Sequence, residues 1–118
     1  MAGSIGTDIV DVERIAGAVR NPRFLKRVFT QDEILYCRGK VRAAQHFAVR
    51  FAAKEAVWKA LSGLNLTGLR HRDIGVARSE SGKPSVRLTG RLKKFETRIS
   101  LSLSHTHEYA VAVAVFWP

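Results

Sequence analysis

The 118-residue chain has one cysteine, Cys37, and three prolines. It has no apolar run near the roughly 20 residues that span a bilayer. A single cysteine excludes an internal disulfide and a cysteine-rich zinc site. The opening MAGSIGTDIVDVERI has no basic n-region and meets acids at Asp8 and Asp11, so it does not read as a secretory signal. A cytoplasmic protein is the resulting expectation. Gly3 to Gly6 does not form a GxGxxG turn, and there is no P-loop, internal repeat or linker. The length predicts one domain over residues 1–118.

Acidic residues are scarce as well: 10 Asp and Glu stand against 20 Lys and Arg, a net charge of +10. Such an excess predicts an anionic partner. The charge is uneven. Arg14, Arg20, Arg23, Lys26, Arg27, Arg38, Lys40 and Arg42 crowd residues 13–42, opposed only by Glu13, Asp32 and Glu33. Residues 100–118 contain no Lys or Arg. One end of the chain reads as a docking surface and the other as core.

What is present is an α+β pattern, helices first and strands last. Ser4 to Asp8 is a strand candidate, and Asp11 caps a helix predicted over 12–20. Asn21-Pro22 ends that helix, and Arg23 to Val28 is a short basic segment with Phe24, Leu25 and Val28 apolar. Thr30-Gln31-Asp32-Glu33 is a capping box that opens a helix to about Cys37. An alanine-rich helix is predicted over 42–61. Ile74 to Arg78 and Ser85 to Thr89 form a hairpin around Ser81-Gly82-Lys83-Pro84. Arg91 to Glu96 is a short helix candidate. Ile99 to Thr106 alternates, with Ile99, Leu101, Leu103 and His105 on one face. Tyr109 to Trp117 is small and apolar on both faces, so a central buried strand is expected, with a subunit interface as a further possibility for it.

The segment FAVRFAAKEAVWKAL, Phe47 to Leu61, is apolar on nearly every side yet carries Arg50, Lys54, Glu55 and Lys59. Charged residues are rarely buried without a partner. Glu55 and Lys59 stand at i and i+4, which on a solvated face is an ion pair worth roughly 0.3–0.5 kcal/mol. Here Ala52, Ala56, Val57 and Ala60 leave little solvated face. Arg50 and Lys54 repeat that spacing as like charges, which is costly unless an anion lies nearby. Asp8, two residues after Gly6, fits either a cation ligand or an ordinary turn aspartate. Asp8 with Glu55 would suit Mg²⁺, which is held by one or two carboxylates and by substrate phosphates. His105 fits a core position or a catalytic one, His105-Thr106-His107 lacks the ligands for zinc, and His46 and His71 belong to no pattern.

Five segments in order, GTDIVDVERI (6–15), RFLKRVFT (23–30), FAVRFAAKEAVWKAL (47–61), SGKPSVRLTG (81–90) and SLSHTHEYAVAVAV (102–115), resemble holo-acyl-carrier-protein synthase, the small trimeric class of 4′-phosphopantetheinyl transferases. The resemblance implies transfer of 4′-phosphopantetheine from coenzyme A to a serine of apo acyl carrier protein, releasing adenosine 3′,5′-bisphosphate. It implies Asp8 and Glu55 as ligands of Mg²⁺, with Mn²⁺ an alternative, and Lys59 against the coenzyme A phosphates. Arg50, Gly82, Lys83, Pro84, His105 and Thr106 match the segments lining the coenzyme A cleft. Arg14, Arg23, Phe24 and Arg27 match the face that receives the acidic carrier protein, where Phe24 and Leu25 offer an apolar anchor. Glu55 is the expected base for the serine hydroxyl, with His105 as runner-up. A homotrimer with active sites between subunits is implied too. Ser62-Gly63-Leu64 departs from the family's glycine-threonine-glycine run. A basic RNA-binding module and a catalytically silent binder of coenzyme A or carrier protein are the competing readings. No membrane partner is expected.

Overall fold

Asp11 ends one element and begins the next. It is the last residue of strand β1 (Ser4–Asp11), and its carboxylate accepts from the backbone N–H groups of Glu13 and Arg14 to cap helix α1 (Val12–Ala18). Asn21 caps α2 (Pro22–Val28) in the same way, with Pro22 in the first helical turn, where its missing N–H costs nothing. The Thr30–Glu33 capping box opens α3 (Gln31–Arg38) as expected. Helix α4 (Ala43–Leu61) is followed by a hairpin of β2 (Ile74–Arg78) and β3 (Pro84–Leu88). A 3₁₀ segment (Gly90–Arg98) leads to β4 (Ile99–His105) and β5 (Tyr109–Phe116). The computed structural model describes residues 3–79 and 81–118.

The antiparallel order β1-β5-β4 makes the main sheet, and α4 lies across one face of it. Contact there is between small groups. Ala52, Ala53, Ala56 and Ala60 of α4 and Ala110, Ala112 and Ala114 of β5 are all fully buried. Gly6 takes this closest: a Cβ built on it would lie 1.9 Å from the Ala56 carbonyl oxygen and 2.7 Å from the Ala60 nitrogen. Only glycine lets β1 seat directly on the helix backbone.

Several expectations shift. Strand β1 runs three residues beyond Asp8, because Ile9, Val10 and Asp11 pair with Val111, Ala110 and Tyr109, a long-range registry no local pattern carries. Helix α1 closes at Ala18, and Arg20 and Asn21 complete a tighter turn onto the Gly17 and Ala18 carbonyls. The predicted short helix at 91–96 is 3₁₀ and longer. β5 is central, but only its alanine face is covered. On the other face Val113 stays 39% exposed, with Ile5 at 70% and Ile9 at 65% beside it, flanked by Tyr109 and Trp117.

Lys54 finds the anion that its spacing from Arg50 calls for inside the fold. Its side chain is fully buried, 2.7 Å from Glu33 Oε1, and it donates to the Ile74 and His71 carbonyls. Burial lowers the Lys54 pKa, and the Glu33 charge opposes that shift. The anion that relieves the Arg50–Lys54 repulsion is therefore internal.

Candidate active site

Gly6 fixes where Asp8 points. Alternation along β1 puts Gly6, Asp8 and Val10 on the helix side of the sheet, so seating Gly6 on α4 brings Asp8 to the turn that carries Glu55 and Lys59. Lys59 Nζ lies 2.9 Å from the Thr7 carbonyl oxygen and 3.4 Å from Asp8 Oδ1. Lys59 thus bridges to the strand instead of pairing with Glu55 along its own helix. Burial raises the Asp8 carboxyl above its usual range. Lys59 and Arg14 oppose the rise, and the Glu55 charge adds to it. A cation held by Asp8 and Glu55 would offset that like-charge contribution. Among the described residues no group of three or more His, Cys, Asp or Glu side chains is assembled to hold a metal. Two carboxylate donors suit a hard cation that takes its other oxygens from phosphate and water.

His71, in the 3₁₀ turn His71–Asp73, reaches the same cluster. Its Nε2 is 3.3 Å from Glu55 Oε1, and its ring is stacked on Phe51 and packed against Trp58. Nothing in the sequence signals this contact, because its partner is 16 positions away.

A second set of predicted residues lines an open groove of about 820 Å³ between α4, the hairpin and β4. Arg50, Gly82, Lys83, Pro84 and His105 all face it. Gly82, at φ +85°, makes the tight turn that presents the exposed Lys83. Arg50 is buried, with its guanidinium 4.2 Å over the Tyr36 ring and one N–H donated to the His46 carbonyl, while its Nε has no partner among the described residues. Burial, together with Arg50, Lys40, Arg78 and His105, pushes His46 below its usual pKa. The groove wall is thus electropositive, as a phosphate-binding surface requires. Thr106 is not in the groove lining. Its hydroxyl accepts from the Glu108 and Tyr109 N–H groups and closes the β4–β5 turn.

Among the described residues the two sets lie on different sides of α4 and on different strands. Arg50 and Glu55 are five residues apart on α4, a rotation of roughly 140°. His105 lies on β4 and Asp8 on β1, with β5 between them.

The basic set is exposed at Arg14, Arg23 and Arg27. Phe24 is half-buried against Phe29 and Phe51, at the rim of the Glu55 cluster. Leu25, expected as part of the apolar anchor, is a core residue at 5% exposure: its position in the second turn of α2 points it inward. Ser62, at the departure from the family run, donates its hydroxyl to the Lys59 carbonyl in the turn that ends α4.

The family model of the 4′-phosphopantetheinyl transferase superfamily matches residues 4–114. A holo-[acyl-carrier-protein] synthase of Geobacter sulfurreducens is 46% identical over 118 residues, covering 93% of each chain. The fold is similar to the crystal structure of holo-[acyl-carrier-protein] synthase from Neisseria meningitidis, with a TM-score of 0.83, 32% identity and 98% of each chain covered. It is also similar to the Helicobacter pylori enzyme in complex with coenzyme A, with a TM-score of 0.80, 32% identity, and 96% of this chain and 99% of that one covered.

Proposed function

The chain belongs to the 4′-phosphopantetheinyl transferase superfamily, and from that premise we propose that it transfers 4′-phosphopantetheine from coenzyme A to a serine of apo acyl carrier protein. The observation that carries this is the convergence of Asp8, Glu55 and Lys59, built by the Gly6 contact, in a chain that also holds an electropositive groove.

The serine oxygen attacks the phosphorus that bears pantetheine. A new P–O bond forms, the bond to the bridging pyrophosphate oxygen breaks, and adenosine 3′,5′-bisphosphate departs. Asp8 and Glu55 would hold Mg²⁺, or Mn²⁺ in its place. The bound cation would supply charge neutralisation across the pyrophosphate. Lys59, held beside Asp8, faces the charge that builds on the leaving phosphate. Glu55 takes the serine proton, and His105 of a neighbouring copy is the alternative base. Arg50, Gly82, Lys83, Pro84 and His105 bind the nucleotide end, with Thr106 shaping the adjacent turn. Arg14, Arg23 and Arg27 steer the acidic carrier, with Phe24 as the apolar contact.

A homotrimer with sites between subunits accounts for two observations together. The metal and groove residues lie on different faces of α4, and the outer face of β1 and β5 leaves Ile5, Ile9 and Val113 uncovered, beside the serines of β4. The reaction belongs in the cytoplasm; among the described residues no helix is long and apolar enough to cross a membrane. An RNA-binding reading finds no support, since Phe47 is buried and Phe51 and Trp58 pack on the core instead of offering a stacking platform.

The test is the intact mass of apo acyl carrier protein incubated with the protein, coenzyme A and Mg²⁺. A gain of one phosphopantetheine is expected, abolished by EDTA and by Asp8→Ala. Glu55→Gln should lower turnover at least about 100-fold, the usual scale for losing a general base. Near-normal turnover in that variant would remove Glu55 from both its roles.

A further inference from the structure

The proposed chemistry makes no use of His71, yet the structure fixes this residue from three directions. Its carbonyl accepts from the buried Lys54 ammonium at 3.2 Å, which ties its backbone to the Glu33–Lys54 pair. Its ring lies nearly parallel to Phe51, at 14° between planes, and 4.7 Å from the Trp58 ring centre. Its Nε2 meets Glu55 Oε1 at 3.3 Å. A carboxylate oxygen only accepts, so Nε2 is the donor and carries the ring proton.

We propose that His71 is a positioning residue for Glu55: the fixed Nε2–H holds Oε1 and so sets the carboxylate that the cation uses. This rests on the reading of Glu55 as a cation ligand. A free glutamate at a helix surface samples several rotamers, and each must be given up when it ligates. The His71 hydrogen bond removes that freedom beforehand, through a ring packed on Phe51 and Trp58. Oε2 has no hydrogen-bond partner among the described residues and is left for the cation. Hydrogen-bonded partners of metal ligands act in this way generally, and losing one weakens metal affinity about 10- to 100-fold. The aromatic wall has a second consequence. Phe51 also touches Phe24 of the carrier-binding helix, with ring centres 6.1 Å apart, so His71 stands between the carrier face and the cation pair.

The experiment titrates the whole protein with Mn²⁺, an oxygen-seeking stand-in for Mg²⁺, and reads free Mn²⁺ by electron paramagnetic resonance. His71→Phe keeps a flat ring and removes the donor, and it should weaken Mn²⁺ binding about tenfold. His71→Gln restores a donor and should recover most of that loss. Asp8→Ala and Glu55→Gln are the references. Wild-type Mn²⁺ affinity in His71→Phe, with affinity lost in both references, would overturn the positioning role and leave the site reading intact. Unchanged affinity in both references would overturn the site reading, and His71's role with it. A measurement on the unaltered protein covers the case in which His71→Phe does not fold. Nitrogen-15 spectra of the ring should show the proton on Nε2, and a proton on Nδ1 alone would overturn the proposal.

Discussion

Glu33 is occupied on all sides. Its carboxylate accepts from the Thr30 N–H at 2.8 Å and the Val76 N–H at 2.7 Å, and pairs with Lys54 at 2.7 Å. Three elements therefore share one buried anion, and none of that charge is open to a substrate. Next to it lies Cys37, fully buried, whose thiol is pushed from its ordinary 9.0 to about 11, chiefly by burial, with Arg50 opposing and Glu33 adding. Its reactivity follows from its thiolate fraction. The native protein should resist iodoacetamide at pH 8 and react fully once unfolded in urea; rapid native labelling by mass spectrometry would show that the thiol is reachable. The unfolded chain releases this proton at lower pH than the folded one. The thiol's contribution is therefore intact below pH 9 and is lost as pH rises through about 11. At this scale the sequence was legible where partners are neighbours. Asp11, Asn21 and the Thr30–Glu33 box cap their helices within a turn. It was not legible where partners are remote: the spacing called for an anion near Arg50 and Lys54 without naming Glu33, and His71 showed no pattern, because each depends on chain brought back from far along the sequence.

Helix α4 and strand β1 act as one unit. Gly6 has no room for a methyl group, so Gly6→Ala must push β1 off the Ala56–Ala60 backbone. The cost expected from overpacking is about 2–3 kcal/mol. Urea unfolding should show it as a lower midpoint, together with weaker Mn²⁺ binding because Asp8 moves with the strand. An unchanged midpoint would mean that the contact does not position the site. The alanines of α4 signalled helix, and the alternating alanines of β5 signalled a strand with a close neighbour. What the pattern did not convey was which of two apolar faces would be covered. Both faces of β5 read alike, and only the packing of α4 distinguishes them.

Between whole molecules, the proposed site is completed when one copy's Asp8 and Glu55 meet another copy's groove. Asp8→Ala and Lys83→Glu chains, each poor alone, should regain activity when coexpressed, to on the order of a quarter of wild type under random mixing in a closed ring. No recovery in a verified mixed oligomer would place both sets in the same subunit's site. The fold class and the order of the site segments could be read from the chain. The proposed division of the site between copies came from the family resemblance and not from the residues themselves, and the roughly 140° between Arg50 and Glu55 around a helix supports it.

The separation of charge along the chain gives ionic strength two opposite effects. Copies that each carry +10 repel, while the face on which they would meet has no Lys or Arg from residue 100 onward. Added salt screens that repulsion and drives assembly, yet the same salt weakens the pull of Arg14, Arg23 and Arg27 on an acidic carrier. Turnover in dilute enzyme should therefore rise and then fall along a salt series. At concentrations where assembly is already complete, only the fall should remain.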